Sequence, residues 1–140
     1  MKNLIRNLLA LIVGLTLGSA VNMSLILLGP VVIPPPPGVD MTSAESMAAT
    51  MHLFEPRHFI FPFLAHALGT LVGATAAFLV AASRRSVFAW MVAAASLAGG
   101  IAASFMIPAP TWFVALDLVA AYIPMGWMAT RLGERLGTPR

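Results

Sequence analysis

Pro62-Phe63-Leu64-Ala65-His66-Ala67-Leu68-Gly69-Thr70-Leu71-Val72-Gly73-Ala74 lies inside an apolar run from Phe59 to Ala82. The only side chain of that run able to carry charge is His66. A run of this length exceeds the roughly 20 apolar residues that cross a bilayer as a helix. Gly69 and Gly73 recur at a four-residue interval, which lets a neighbouring helix approach the backbone closely. His66 precedes them by three and seven residues and so falls on nearly the same face. One helix therefore offers both a packing surface and an ionisable group directed at whatever packs there.

Composition points the same way. Of 140 residues, 59% are hydrophobic and 9% are charged, and the mean hydropathy is +0.90. A soluble domain carries about 25% charged residues. The expected class is an all-α integral membrane protein made of one transmembrane domain over residues 1–140. Cysteine is absent, which excludes disulfides, thiol catalysis and thiolate metal sites. The net charge of +3 does not indicate a nucleic-acid partner, because the basic residues sit at the ends of apolar runs and form no patch.

Hydropathy predicts an antiparallel four-helix transmembrane bundle with spans at about 5–29, 58–83, 87–107 and 111–132. Gly29-Pro30 is expected to end the first, and Pro34 to Pro37 bar its extension, since proline cannot continue the helical ladder. Lys2, Arg6 and the run up to Gly18-Ser19-Ala20 also resemble a signal peptide. The apolar character continues to Ile33, so an uncleaved first helix is the preferred reading. Pro108-Ala109-Pro110 leaves only a tight turn between the third and fourth spans. Pro124-Met125-Gly126 predicts a kink in the fourth.

The single long loop, Pro30 to Arg57, contains a polyproline spacer and then Thr42-Ser43-Ala44-Glu45, a capping-box pattern. Apolar positions at helical spacing follow, which predicts a short amphipathic helix at about 43–54 in the first extracytoplasmic loop. Lys2, Arg6, Arg84, Arg85, Arg131, Arg135 and Arg140 all fall on one side of a four-span chain. The positive-inside rule then puts both termini in the cytoplasm, in a membrane of the bacterial plasma (inner) type. Trp90, Trp112 and Trp127 stand near span ends as interfacial anchors.

Polar residues within the spans form a layer. Counting at about 1.5 Å per residue, Asn22, His66, Ser104 and Asp117 each lie roughly 5–12 Å below the outer surface. Asp117 is the only carboxylate inside a span. Intramembrane charges are costly, face the interior and take partners. His66 is the available partner, and a carboxylate would fix its tautomer. The alternative is a purely structural layer that ties the helices together.

Glu45, His52, Glu55 and His58 make a second constellation, for which zinc or another divalent metal is the only cofactor that enters. Pro56 interrupts the Glu55/His58 spacing, and a solvated face is the favoured reading. Three functional readings rank in order. The first is a His66/Asp117 site that binds or passes a small molecule, lipid head group or proton. The second is an assembly protein that joins copies of itself or another membrane subunit through Gly14, Gly18, Gly69, Gly73, Gly99 and Gly100. The third is a membrane-embedded metalloenzyme. The bilayer is the one partner common to all three.

Overall fold

A computed structural model describes residues 1–137. Their regular structure is helix alone, with no strand among the described residues. Six α-helices follow in order: α1 Lys2–Val32, α2 Ala44–Thr50, α3 Ile60–Val80, α4 Arg85–Met106, α5 Thr111–Ala120 and α6 Ile123–Leu136. Short 3₁₀ turns, Met51–Leu53 and Pro56–Phe59, join α2 to α3. Four segments are long and apolar enough to cross a membrane: Lys2–Val32, Pro56–Val80, Arg85–Met106 and Thr111–Leu136. The last comprises α5 and α6. Four such segments among the described residues are consistent with a multi-pass membrane protein, and the helices are compatible with a bundle. Arg140 lies outside the described residues.

The central element is α3, which packs against α1, α4, α5 and α6. Its small residues set the spacing from α1. A Cβ added to Gly73 would fall 2.7 Å from the Gly14 carbonyl oxygen, and one added to Gly18 would fall 2.8 Å from the Gly69 carbonyl oxygen. The contact therefore runs backbone to backbone, at a separation only glycine permits. Near the ends of the pair, Gly29 abuts Phe61 and the Arg6 guanidinium donates to the Val80 carbonyl at 2.7 Å. One buried cluster, Ala74, Ala77, Phe78, Ala89, Val92 and Ala129, joins α3, α4 and α6. A second, Ala67, Ala121 and Tyr122, holds the α5–α6 junction against α3.

Several boundaries differ from expectation. α1 runs through Gly29-Pro30 to Val32. Proline there removes a single backbone donor in the last turn, while the Ile33 N–H still reaches the Gly29 carbonyl at 2.8 Å. Chain reversal is left to Pro34–Pro37. The loop helix is shorter than 43–54, because it tightens to 3₁₀ at Met51 and ends at Leu53, ahead of Pro56. Its cap is Ser43, whose hydroxyl accepts from the Ser46 N–H at 3.2 Å. Thr42 instead donates its N–H and hydroxyl to Asp40 at 2.8 and 2.6 Å. Those two bonds hold the Asp40 carboxyl below the usual carboxylate range. The predicted kink in the fourth span is a full break at Ala121-Tyr122, with Pro124 in the first turn of α6.

The α3–α4 turn is tight enough to put Arg84 in the left-handed region, at φ 47°. Asn7 of α1 reaches into it. Its side-chain carbonyl accepts from the Ala82 and Ser83 N–H groups at 2.9 and 3.3 Å, and its amide donates to the Ser83 hydroxyl at 3.1 Å. Two N–H groups of the turn that no helical ladder takes up are thereby satisfied by another helix, which answers the general need to pair backbone donors.

Candidate functional site

Among the described residues, Asp117 is one of four buried polar residues, at 4% exposure, and the only ionisable one of the four. It stands on α5, one turn before the break. Its Oδ2 lies 2.8 Å from His66 Nδ1 on α3. The Tyr122 hydroxyl donates to the same oxygen at 3.4 Å. The two rings stack, with centroids 5.8 Å apart and planes inclined by 27°.

The break in the fourth span is what brings Tyr122 into play. In a continuous helix, residues five apart do not share a face. Pro124 can give no N–H to a continuing ladder, so α5 closes with the Ala121 N–H on the Asp117 carbonyl at 2.9 Å, and α6 starts afresh. Tyr122, left between the helices at φ −121° and ψ −58°, turns back to the carboxylate. Ala67, Ala121 and the partly buried Phe63 and Leu97 enclose it, and it is 2% exposed. Gly100 on α4 makes room for the ring, since a Cβ there would collide with the Tyr122 hydroxyl.

As a carboxylate, Asp117 only accepts, so Tyr122 gives its O–H and His66 gives Nδ1–H. His66 is then held in the Nδ1–H tautomer, and Nε2 is left as a lone-pair acceptor. Asp117 Oδ1 is buried without a partner, as is the Thr70 hydroxyl one turn beyond His66.

His66 and Asp117 line a cavity of about 430 Å³. Its walls come from the C-terminal ends of α1 and α4, the starts of α3 and α5, and the loop. Met41, Met47, Met51 and Phe54 of the loop segment line it as a cover, and nearly all the remaining wall is apolar. Among the lining residues, His66 is the furthest along α3 from its start, Gly100 the furthest along α4 from its Pro108 end, and Asp117 the last but one along α5. The His66–Asp117 pair is therefore at the inner end of an oily chamber, with His58 and Ser104 nearer its outer end. Phe59 braces one side, with ring centroids 4.8 Å from Phe113, 5.5 Å from Trp112 and 6.1 Å from Phe54.

Two other residues of the expected polar layer do not join the pair. Ser104 lines the cavity, but its hydroxyl donates back to the Ile101 carbonyl at 2.7 Å. Asn22 stands against Gly69, where its Cβ would be 3.1 Å from an added methyl, and its amide makes no hydrogen bond among the described residues. Tyr122, which does join, gave no signal in hydropathy or spacing. Only the proline two residues on marked a departure from regular helix.

Glu45, His52, Glu55 and His58 are not gathered. Among the described residues no three histidine, cysteine or acidic side chains stand together as metal ligands. Glu55 and His58 form a local capping pair instead, with the Glu55 N–H donating to His58 Nδ1 at 2.9 Å, while Arg57 pairs with the Glu55 carboxylate at 3.2 Å. Pro56 opens a 3₁₀ turn there, which points the two side chains at each other's backbone. Of the expected packing glycines, Gly14, Gly18, Gly69 and Gly73 pack within the α1–α3 contact and Gly100 against Tyr122. Gly99 meets nothing within 4 Å.

Comparison with protein-family models, curated proteins and solved structures finds no match.

Proposed function

We propose that this chain is an antiparallel four-span membrane protein that binds a lipophilic molecule bearing one weakly acidic hydroxyl. The ligand's apolar body occupies the cavity and its O–H is presented to His66 Nε2. The observation that carries this reading is the 2.8 Å His66–Asp117 contact at the inner end of a largely apolar chamber. An apolar wall with few convergent polar groups is the usual make-up of a small-molecule site. A carboxylate behind the imidazole orients the ring so that Nε2 faces the chamber, and offsets charge if the proton moves onto it. Proton transfer from ligand to His66 breaks the ligand O–H bond and leaves an oxyanion beside the new Nε2–H, with the imidazolium held against Asp117 as a pair of no net charge.

Orientation follows from the positive-inside rule. Lys2, Arg6, Arg84, Arg85, Arg131 and Arg135 mark the cytoplasmic end, so the cavity opens on the outer half beneath the loop segment, in the inner membrane of a bacterial-type cell. The Arg6–Val80 contact supports this by joining the start of α1 to the end of α3.

Binding of nonylphenol to the protein in lipid nanodiscs, titrated calorimetrically against empty nanodiscs, tests the reading. Wild type is expected to saturate. Asp117→Asn should bind about tenfold more weakly, the equivalent of one charge-assisted bond, and His66→Phe should not bind, both with helical circular dichroism retained. Binding indifferent to both substitutions overturns it.

A second reading has one observation in its favour. Gly99 presents bare backbone outward from α4, a face that suits self-association between spans. Gly99→Leu should then abolish cross-linked dimers in detergent, and an unchanged cross-linking pattern removes this reading.

A further inference from the structure

At the opposite end of the helices from the cavity, a shallow groove of about 450 Å³ runs between α3 and α6. Leu71, Trp127, Met128 and Leu132 make its apolar wall, and Arg131 and Arg135 stand on it one turn apart. The Arg131 guanidinium lies 5.6 Å from the centroid of the Trp127 ring. It also pairs with Glu134 at 3.6 Å, but both side chains are more than half exposed, at 62% and 53%. Such exposed pairs bind weakly and exchange readily.

We infer that this groove is a binding site for an anionic phospholipid. The inference rests on the membrane-spanning reading above. Charge complementarity selects the occupant. The surrounding end of the chain carries Lys2, Arg6, Arg84, Arg85, Arg131 and Arg135 against Glu134, the one acid among the described residues there. A zwitterionic head group brings its own cation to this field, and a phosphatidylglycerol head group does not. Guanidinium groups match phosphate oxygens with paired N–H donors. Trp127 is the amphipathic ring expected at head-group depth, and Arg131 over its face keeps the guanidinium beside the interface. The acyl chain continues over Met128, Leu132 and Leu71, a wall that would otherwise meet disordered lipid. The phosphate replaces Glu134 as the partner of Arg131, so Glu134 is a competitor of the lipid and not part of its site.

Each arginine near a membrane surface is worth about fivefold in affinity for anionic lipid, hence about thirtyfold for the two together. Trp127 itself can report. A Trp90→Phe/Trp112→Phe protein, with Trp127 as the remaining tryptophan, is placed in phosphatidylcholine nanodiscs. These contain either phosphatidylcholine or phosphatidylglycerol brominated in the acyl chains, at equal mole fraction. Brominated phosphatidylglycerol is expected to quench Trp127 more strongly at low mole fraction. Arg131→Gln/Arg135→Gln should equalise the two lipids, and Glu134→Gln should shift half-quenching to a lower phosphatidylglycerol fraction. Equal quenching by both lipids in the parent protein, or a preference indifferent to the arginines, overturns the lipid site and leaves the membrane reading intact. Absence of quenching by either lipid overturns the membrane reading itself. Native mass spectrometry of the unsubstituted chain gives a second measurement, in which retention of phosphatidylglycerol over phosphatidylcholine is expected and equal retention contradicts the site.

Discussion

Two adjacent glycines of α4 should respond to the same substitution in opposite ways. At Gly99 an added Cβ meets nothing within 4 Å. Gly99→Ala therefore only removes glycine's backbone freedom in a helix interior, a gain of about 0.5–1 kcal/mol. At Gly100 the same methyl would collide with the Tyr122 hydroxyl. The tyrosine cannot swing clear cheaply, because it is 2% exposed and stacked on His66. Overfilling a packed interior costs about 1–3 kcal/mol. After the helical gain is subtracted, Gly100→Ala should destabilise by about 1 kcal/mol, and the two variants should differ by roughly 2 kcal/mol. That is about thirtyfold in an unfolding equilibrium. Titration with sodium dodecyl sulfate in mixed micelles, followed by circular dichroism, measures it. Displacing Tyr122 also removes a donor from Asp117, so Gly100→Ala should weaken nonylphenol binding while Gly99→Ala leaves it unchanged. Equal stabilities for the two variants, or a more damaged Gly99→Ala, would refute the placement of Tyr122 beneath α4 and with it the three-residue site.

Gly73→Leu should be a harsh change in the α1–α3 contact, since its Cβ alone would meet the Gly14 carbonyl at 2.7 Å. A loss above about 3 kcal/mol is expected in the same titration, given the further atoms of leucine; a loss under 1 kcal/mol would mean the two backbones are not in contact. The loop carries a pH signature. Asp40 has its carboxyl lowered by the Thr42 hydroxyl and N–H. A depressed folded value means that this anchoring is present above the ordinary carboxylate range and is lost as pH falls through the folded value. Carbon-13 NMR titration of the Asp40 carboxyl should show the depression in wild type and its reduction in Thr42→Val, whose own N–H can still donate; identical titrations would show that the hydroxyl bond is not formed.

Hydropathy carries a great deal of this architecture and the reasons are physical. Four apolar segments separated by proline and arginine leave little choice about where helices begin and end. The errors fall where a local rule meets a tertiary partner. Pro30 reads as a stop, but the last turn of a helix loses little from one missing donor, and Gly29 is held against Phe61. Thr42 and Ser43 are both good caps in isolation. Asp40 engages the threonine and leaves the cap to the serine.

The site is legible in depth but not in rotation. Counting residues from the span ends selects Asn22, His66, Ser104 and Asp117 as one layer, and nothing in that count tells which way each helix is turned. Asn22 faces the glycine contact and Ser104 bonds to its own helix. Tyr122 was beyond reach because its position depends on the break before Pro124, where helical periodicity stops holding.

The state of one imidazole bears most directly on the proposed chemistry. Nitrogen-15 NMR of His66 in bilayers, with and without nonylphenol, reads both ring nitrogens separately. A protonated Nδ1 and a bare Nε2 in the free protein are expected, with the Nε2 resonance moving on addition of the phenol and needing about tenfold more phenol to move as far in Asp117→Asn. A proton found on Nε2 alone in the free protein, or an Nε2 resonance that ignores the phenol, would contradict the account.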